Sequence, residues 1–328
     1  MRRPCVRVPR DEGEETRRLL DEADLRDGRY EIQSDDEFVY IPVLDAPAVA
    51  DTYNVVEREV DPRDTLTMPE DLLAFTPTYE RLGELILLQE ENPDRARQAA
   101  KAFMTCDLPV STVLNRASAV SGTRRVPDWE VLAGSETETV HREYGAEFLV
   151  DPTRAYFSPR LATERQRVIS QIAPDEHVFD MFAGVGPYAI RAALAGATVV
   201  AVDINPEAIE YLRENTRRNE VADEMTIIEG DVDEVVDSYS GWADRVIMNL
   251  PHSAQEHLGA ARTVAGDRCV LHYYDIQSEP TPFEAGEQAI AEVFETTHAV
   301  SFLDRRVVRS YAPGEVNVCL DVQLTAHQ

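Results

Sequence analysis

Apolar and polar positions change character along this chain. From residue 177 onward, short apolar runs recur at 177–182, 198–204, 225–230, 244–249 and 269–275, with amphipathic stretches between them. Apolar runs of that length predict buried strands, and the helical spacing between them completes the alternation of a doubly wound parallel sheet. Two later runs, 300–303 and 316–324, predict a closing antiparallel pair. Upstream the pattern is looser. Residues 11–23 carry Thr16, Leu19 and Leu20 at helical spacing, and 30–32 and 37–42 read as strands. The stretch 78–88 ends as an apolar strand, a helix is expected at 94–104, and strands are expected near 110–114 and 129–132. The prediction is an α/β chain: a small unit at 1–45, a proline- and charge-rich linker at 46–70, a middle α+β unit at 71–151 and a Rossmann-like doubly wound domain at 152–328.

Charge changes the picture of the surface. The 328 residues hold 61 acidic against 32 basic side chains, a formal net charge of −29. Lys101 is the only lysine. A surface rich in carboxylates and almost free of lysine suits a high-salt cytoplasm, where screening weakens self-repulsion; the chain reads as a halophile's protein. The acidic average would also hide the basic face by which a nucleic-acid enzyme is normally recognised. Cys5, Cys106, Cys269 and Cys319 form no C-x-x-C pair, and the seven histidines show no ligand spacing, so neither a metal site nor a disulfide framework is predicted. No stretch approaches the ~20 apolar residues of a membrane span, and residues 1–10 lack an apolar targeting core. A cytoplasmic protein without a membrane partner is expected.

The densest chemistry lies in Asp180-Met181-Phe182-Ala183-Gly184-Val185-Gly186-Pro187. A strand breaks here into a glycine turn, and Pro187 opens the next helix, where its missing N–H costs nothing. This is the nucleotide-binding corner of a doubly wound sheet. Gly184, Gly186 and Ala189 also satisfy a dinucleotide pattern. The next strand ends in Asp203, placed to accept both ribose hydroxyls of a nucleoside, and Ile204-Asn205-Pro206 also suits a helix cap. The third strand ends in Glu229-Gly230-Asp231-Val232, a second acid on the same rim. No basic residue closely follows the glycine turn, as a pyrophosphate would favour. The fourth strand runs into Asn249-Leu250-Pro251, an Asn-x-Pro turn aimed at the cofactor's reactive end. Together these favour S-adenosylmethionine over a nicotinamide dinucleotide.

These motifs, with Tyr156-Phe157-Ser158-Pro159-Arg160-Leu161-Ala162-Thr163-Glu164-Arg165 and Glu138-Thr139-Val140-His141-Arg142-Glu143-Tyr144-Gly145, resemble the archaeal and eukaryotic tRNA (guanine-N1)-methyltransferases that modify the guanosine 3′ to the anticodon, position 37. The likeness spans almost the whole chain, including 79–88 and 306–313. It implies a class I methyltransferase domain whose partners are S-adenosylmethionine and tRNA, with residues 1–45 reading the tRNA's outer corner and the rest holding the anticodon loop. It implies Glu164 as the general base for the N1 proton, made more basic by shielding from water. Arg125 would stabilise charge on O6, with Arg124 as its fallback; Asn249 would position the base edge and Tyr156 would stack on the flipped guanine. Arg165, Phe182, Gly184, Gly186, Asp203, Ile204, Asp231, Val232 and Asn249 would line the cofactor. Family members can depend on magnesium, a requirement that the resemblance alone raises; the sequence shows no carboxylate cluster that forms an obvious site. A monomer is expected. The rivals are an aminocarboxypropyl transferase of wyosine-type tRNA modification, an amino-group methyltransferase of nucleic acid, and a tRNA-binding protein without catalysis.

Overall fold

The structure, a computed structural model, describes residues 1–63, 66–117 and 126–327. The chain divides into two compact units, Met1–Asp71 with Cys106–Leu108, and Leu72–Thr105 with Pro109–Gln328.

The first unit is a four-stranded antiparallel sheet built from β1 (Arg2–Pro9), β2 (Gln33–Ser34), β3 (Phe38–Pro42) and β4 (Asn54–Glu59), in the order β2-β3-β1-β4. Helices α1 (Gly13–Glu22) and α2 (Ala46–Val49) accompany it. Leu20 of α1 packs with Val6, Val8, Ile41 and Val49 to form its core. The stretch expected to be a linker thus holds both α2 and β4. Strand β4, with its polar sequence Asn-Val-Val-Glu-Arg-Glu, is an edge strand identified by its backbone ladder with β1 rather than by apolar alternation.

The second unit opens with β5 (Tyr79–Leu82) and β6 (Leu85–Leu88), followed by α3 (Pro93–Phe103), β7 (Thr112–Arg116) and β8 (Trp129–Ala133), paired in the order β5-β6-β7-β8. The stretch 78–88 ends as the expected apolar strand, β6, and its first half is β5, paired antiparallel with it across a turn at Gly83, which takes φ +57°. A Cβ there would stand 2.2 Å from the Thr139 hydroxyl oxygen. Thr139 belongs to the two-stranded ribbon β9 (Thr139–Glu143) and β10 (Ala146–Val150).

Helix α4 (Ala162–Ile169) then leads into β11 (His177–Asp180), α5 (Ala189–Leu194), β12 (Thr198–Asp203), α6 (Pro206–Arg218), β13 (Met225–Glu229), α7 (Val232–Val235), β14 (Ala243–Met248), α8 (Leu258–Val264), β15 (Ala265–Ser278), α9 (Glu284–Phe294), β16 (His298–Ala312) and β17 (Glu315–Ala326). The seven strands lie in the order β13-β12-β11-β14-β15-β17-β16. The first five are parallel, and β17 runs antiparallel to both β15 and β16. The α/β architecture read from the strand–helix alternation is therefore present. The order reverses between β11 and β14, and such a switch point opens a ligand crevice at the strands' carboxyl ends.

Two cores sandwich this sheet. Val178, Ile247, Tyr274 and Cys319 face Val168 of α4 and the apolar sides of α5 and α6, while Phe179, Met248, Leu271 and Leu320 face Leu258 of α8 and Ile290 of α9. Leu82, Leu85, Leu87 and Leu114 join the first of these cores. This shared packing is why the division expected at residue 151 falls inside one compact unit.

Candidate active site

The parallel register brings the predicted cofactor residues to one rim. Asp180 ends β11 beside Ala201 and Ile247, and Asp203 ends β12 beside Glu229. Between them Gly184 and Gly186 adopt φ of +55° and +92°, conformations that only glycine takes without strain. Their roles differ. A Cβ on Gly184 would meet nothing nearer than the Tyr156 carbonyl oxygen at 3.9 Å, so its open side faces the crevice. On Gly186 it would lie 2.3 Å from Leu212 Cδ1 and 2.9 Å from Ile190 Cδ1. Gly186 is needed for the close packing of the turn on α6.

Asp203 ties this rim together. Its Oδ2 accepts the Gly184 N–H at 2.6 Å and its Oδ1 the Asn205 N–H at 2.8 Å. Asn205, in turn, caps α6 by accepting from the Glu207 N–H at 3.1 Å. Asp203 thus braces the turn while each carboxylate oxygen keeps a lone pair for a ligand hydroxyl. Asp231 caps α7 through the Asp233 N–H at 3.0 Å. Ile204 is half exposed, Phe182 packs edge-on to His257, and Val232 is buried in the core.

Asp180 received no role from the sequence, although it heads the glycine motif. It is 1% exposed, and among the described residues its Oδ2 has no partner at hydrogen-bond geometry. Burial, with the Asp203 charge adding to it, pushes this carboxyl up to about 7 against the backbone N–H groups of Phe182 and Ala189. An acid closing a buried strand ahead of a glycine turn was the available signal.

Glu164 sits in the first turn of α4 and is 7% exposed. The expected shielding from water is present, and within it the structure supplies hydrogen-bond donors. The Tyr274 hydroxyl donates to Oε1 at 2.8 Å, Arg167 donates to Oε1 at 2.7 Å and Oε2 at 3.0 Å, and the Tyr188 hydroxyl donates to Tyr274 at 3.1 Å. Arg167 and Tyr274 were missed. Arg167 stands three residues beyond Glu164 on the same helix face, which is the local clue. Tyr274 comes from β15, 110 residues away, and nothing local announces it.

Arg165 is 1% exposed and committed to internal contacts. It pairs with Glu143 through Nε at 2.8 Å and through a shorter contact, and it donates to the Ser158 carbonyl at 3.1 and 3.2 Å. Arg191 adds a third bond to Glu143 at 3.1 Å. Arg165 therefore clamps the 156–161 segment to the β9 strand, and its guanidinium is not left open for a cofactor. Tyr156 is 40% exposed in that segment. Asn249 follows β14 in a turn where the Leu250 carbonyl accepts from Ser253 and Ala254, and His252, at φ +85°, bonds through Nε2 to the Tyr311 hydroxyl at 2.9 Å. Arg124 and Arg125 lie outside the described residues.

The rim fits a nucleoside bearing a cationic tail: an open glycine turn, two acids at successive strand tips and one orphaned buried carboxylate oxygen. Magnesium finds no comparable fit. Asp231, Asp233 and His257 approach one another, but Asp231 is a helix cap and Asp233 binds His257 Nδ1 at 3.0 Å. That is not the oxygen-rich octahedron magnesium demands. Among the described residues, no helix is long and apolar enough to cross a membrane.

Residues 139–301 match the TRM5/TYW2 methyltransferase domain, residues 5–51 the tRNA methyltransferase 5 N-terminal domain and residues 63–137 the TYW2 N-terminal domain. Similarity extends over the full length: the tRNA (guanine(37)-N(1))-methyltransferase Trm5b of Pyrococcus abyssi is 36% identical over 98% of this chain and 99% of its own. The chain belongs to the TRM5/TYW2 methyltransferase family. A tRNA(Phe) (4-demethylwyosine(37)-C(7)) aminocarboxypropyltransferase of Pyrococcus horikoshii is 32% identical over 78% of this chain and 93% of its own. Among solved structures, aTrm5 in complex with tRNALeu superposes with a TM-score of 0.72 at 30% identity, covering 98% of this chain and 99% of that one. The Methanocaldococcus jannaschii TYW2 in complex with AdoMet superposes with a TM-score of 0.61 at 26% identity, over 76% of this chain and 100% of that one. The fold of this family member is that of an S-adenosylmethionine-dependent methyltransferase.

Proposed function

We propose that this chain is a tRNA methyltransferase that methylates N1 of the guanosine 3′ to the anticodon, with Glu164 as general base. The single observation that carries the catalytic assignment is Glu164 itself. It is a buried carboxylate linked through Tyr274 to Tyr188, which follows the glycine turn, and after the Tyr274 and Arg167 bonds its Oε2 still has an uncommitted lone pair among the described residues. The full-length likeness to Trm5b supports the reaction.

Guanine N1 carries a proton at neutral pH, so it has no free lone pair until a base removes that proton. Glu164 accepts it through Oε2 while Tyr274 and Arg167 hold the carboxylate still. S-adenosylmethionine, when bound, supplies an electrophilic sulfonium methyl. Asp203 accepts its ribose hydroxyls, Asp231 its adenine amino group, and Asp180 offers the buried Oδ2 to its ammonium. Arg125 stabilises the charge that develops on O6, Asn249 fixes the base edge and Tyr156 stacks on the guanine. The N-terminal unit reads the tRNA's outer corner, while the middle segment and the methyltransferase domain hold the anticodon loop. The acidic surface fits work in high salt, in a cytoplasm, as a monomer.

The test is methyl transfer from labelled S-adenosylmethionine to an unmodified tRNA transcript in molar KCl, with the product digested to nucleosides. N1-methylguanosine formed only when guanosine follows the anticodon, and lost by about 100-fold or more in Glu164→Gln, is the expected result. The likeness to the P. horikoshii enzyme makes aminocarboxypropyl transfer the second reading, and that product on the same digest would replace the first. tRNA binding without any product would overturn both.

A further inference from the structure

A buried polar chain runs behind Glu164. Starting just ahead of β11, Glu176 accepts from Arg245 Nε at 2.9 Å, and Arg245 reaches His272 Nε2 at 2.6 Å. His272 Nδ1 lies 2.7 Å from Asp321 Oδ1, and Asp321 pairs with Arg167 through one bond of 3.1 Å and one shorter contact. Arg167 then forks onto Glu164. Arg245, His272, Asp321 and Glu164 are each less than a tenth exposed.

The proton positions in this chain follow from one fact. A guanidinium can only donate, so His272 Nε2 must accept from Arg245 and Nδ1 must carry the proton that it donates to Asp321. Burial lowers the His272 pKa and keeps the ring neutral. Burial alone would raise the Asp321 carboxyl, but the bonds from His272 and Arg167 hold it well below the usual range. His272, Cys319 and Asp321 also approach like metal ligands. With Nδ1 protonated and Arg167 donating to both Asp321 and the Cys319 sulfur at 3.4 Å, these atoms are already used by donors.

Arg167 is therefore one positive charge divided between two carboxylates. Among the described residues, the groups facing Glu164 are Arg167 on its own helix, Tyr188 ahead of α5, Tyr274 on β15, and Cys319 and, through Arg167, Asp321 on β17. Arg167 is the only cation among these. Were it committed to Glu164 alone, the carboxylate would be held too firmly to take a proton from N1.

We propose that Asp321, oriented by the neutral His272, is a positioning residue that draws Arg167 partly away from Glu164 and so keeps Glu164 basic enough to accept the N1 proton. The inference rests on the reading of Glu164 as base. It adds that the strength of that base is set from β17.

The test is the pH dependence of single-turnover methyl transfer across roughly pH 5.5–8.5, at saturating S-adenosylmethionine and tRNA in molar KCl. Glu164→Gln must first remove the acid limb of the wild-type profile; a persisting limb would overturn the reading of Glu164 itself. In Asp321→Asn the plateau rate is expected to fall about 10-fold, the acid limb to move to lower pH, and the KM for either substrate to stay within about twofold. Arg167→Gln is expected to move the limb the opposite way. His272→Phe, which removes the N–H facing Asp321, serves if Asp321→Asn folds poorly, and should shift the limb in the Asp321→Asn direction by less. A limb unmoved in folded Asp321→Asn or His272→Phe, or a change in KM alone, would overturn the proposal.

Discussion

Gly184 donates its backbone N–H to the Asp203 carboxylate at 2.6 Å, so the glycine turn after β11 is locked to the tip of β12. The acid read as a ribose ligand is also the brace of the loop. Motif glycine and motif acid, 19 residues apart, act as one unit.

The two glycines of that turn should separate binding from folding. Gly184→Ala places a methyl in the crevice at φ +55°, costing about 1–2 kcal/mol of backbone strain; cofactor affinity should fall more than tenfold. Gly186→Ala drives a methyl to 2.3 Å from Leu212 at φ +92° and should cost about 3 kcal/mol. Adding Leu212→Ala should relieve the clash and return part of that stability. Urea melts and S-adenosylmethionine titrations of the three variants would show it, and equal stability losses in both single variants would contradict it.

Asp180 predicts a pH dependence of the ligand-free protein. Its carboxyl titrates at about 7 in the fold, against about 3.9 in an unfolded chain. Between those values the folded state holds a proton that the unfolded state has released, so stability falls as pH rises through this window. Asp180→Asn cannot ionise and should therefore raise the melting temperature at about pH 8 relative to wild type, but not at about pH 4. Cofactor affinity should drop in the same variant, since the orphaned oxygen becomes an amide. A melting difference independent of pH would refute the assignment.

Glu143 predicts the opposite sign. Burial alone would raise its carboxyl, but the Arg165 pair outweighs it and holds the group at about 2. Its contribution is present above the unfolded glutamate value of about 4.3 and is lost as pH falls through about 2. Glu143→Gln leaves Arg165 and Arg191 buried without a counter-charge and should cost about 3–5 kcal/mol near neutral pH. The gap from wild type should narrow in acid, measured by thermal melts from about pH 7 down to about pH 3.

The sequence revealed what is periodic or local. The five parallel strands lay within a few residues of their apolar runs; β11, β12 and β14 are buried on both faces and so apolar at nearly every position, while the edge strand β13 is only partly buried. Gly184, Asp203 and Asn249 announced themselves because one turn or one strand tip carries each. What escaped was decided by partners far along the chain. Strand β1 is interrupted by arginines and prolines, and β4 has no apolar face; both exist through their mutual ladder. Glu164 was found by motif, but its surroundings come from Tyr274 and, through Arg167, from Asp321. Arg165 was read as a cofactor contact through the family likeness alone; the Glu143 that engages it sits 22 residues earlier.

Tyr274 supplies the sharpest separation of fold from chemistry. Its hydroxyl accepts from Tyr188 at 3.1 Å and donates to Glu164 at 2.8 Å, so it fixes the carboxylate and satisfies a buried phenol at once. Tyr274→Phe leaves the Tyr188 hydroxyl without its acceptor and should cost about 1–3 kcal/mol. It also leaves the Glu164 carboxylate held by Arg167 alone, and the methyl-transfer rate should fall roughly tenfold while S-adenosylmethionine affinity holds. Tyr188→Phe is the control. It removes only the donor to Tyr274, so it should lose about 1 kcal/mol of stability with a near-normal rate. Urea melts beside single-turnover rates decide the point: if both variants slow the reaction equally, the Tyr274–Glu164 bond is structural, and the base is held by Arg167 alone.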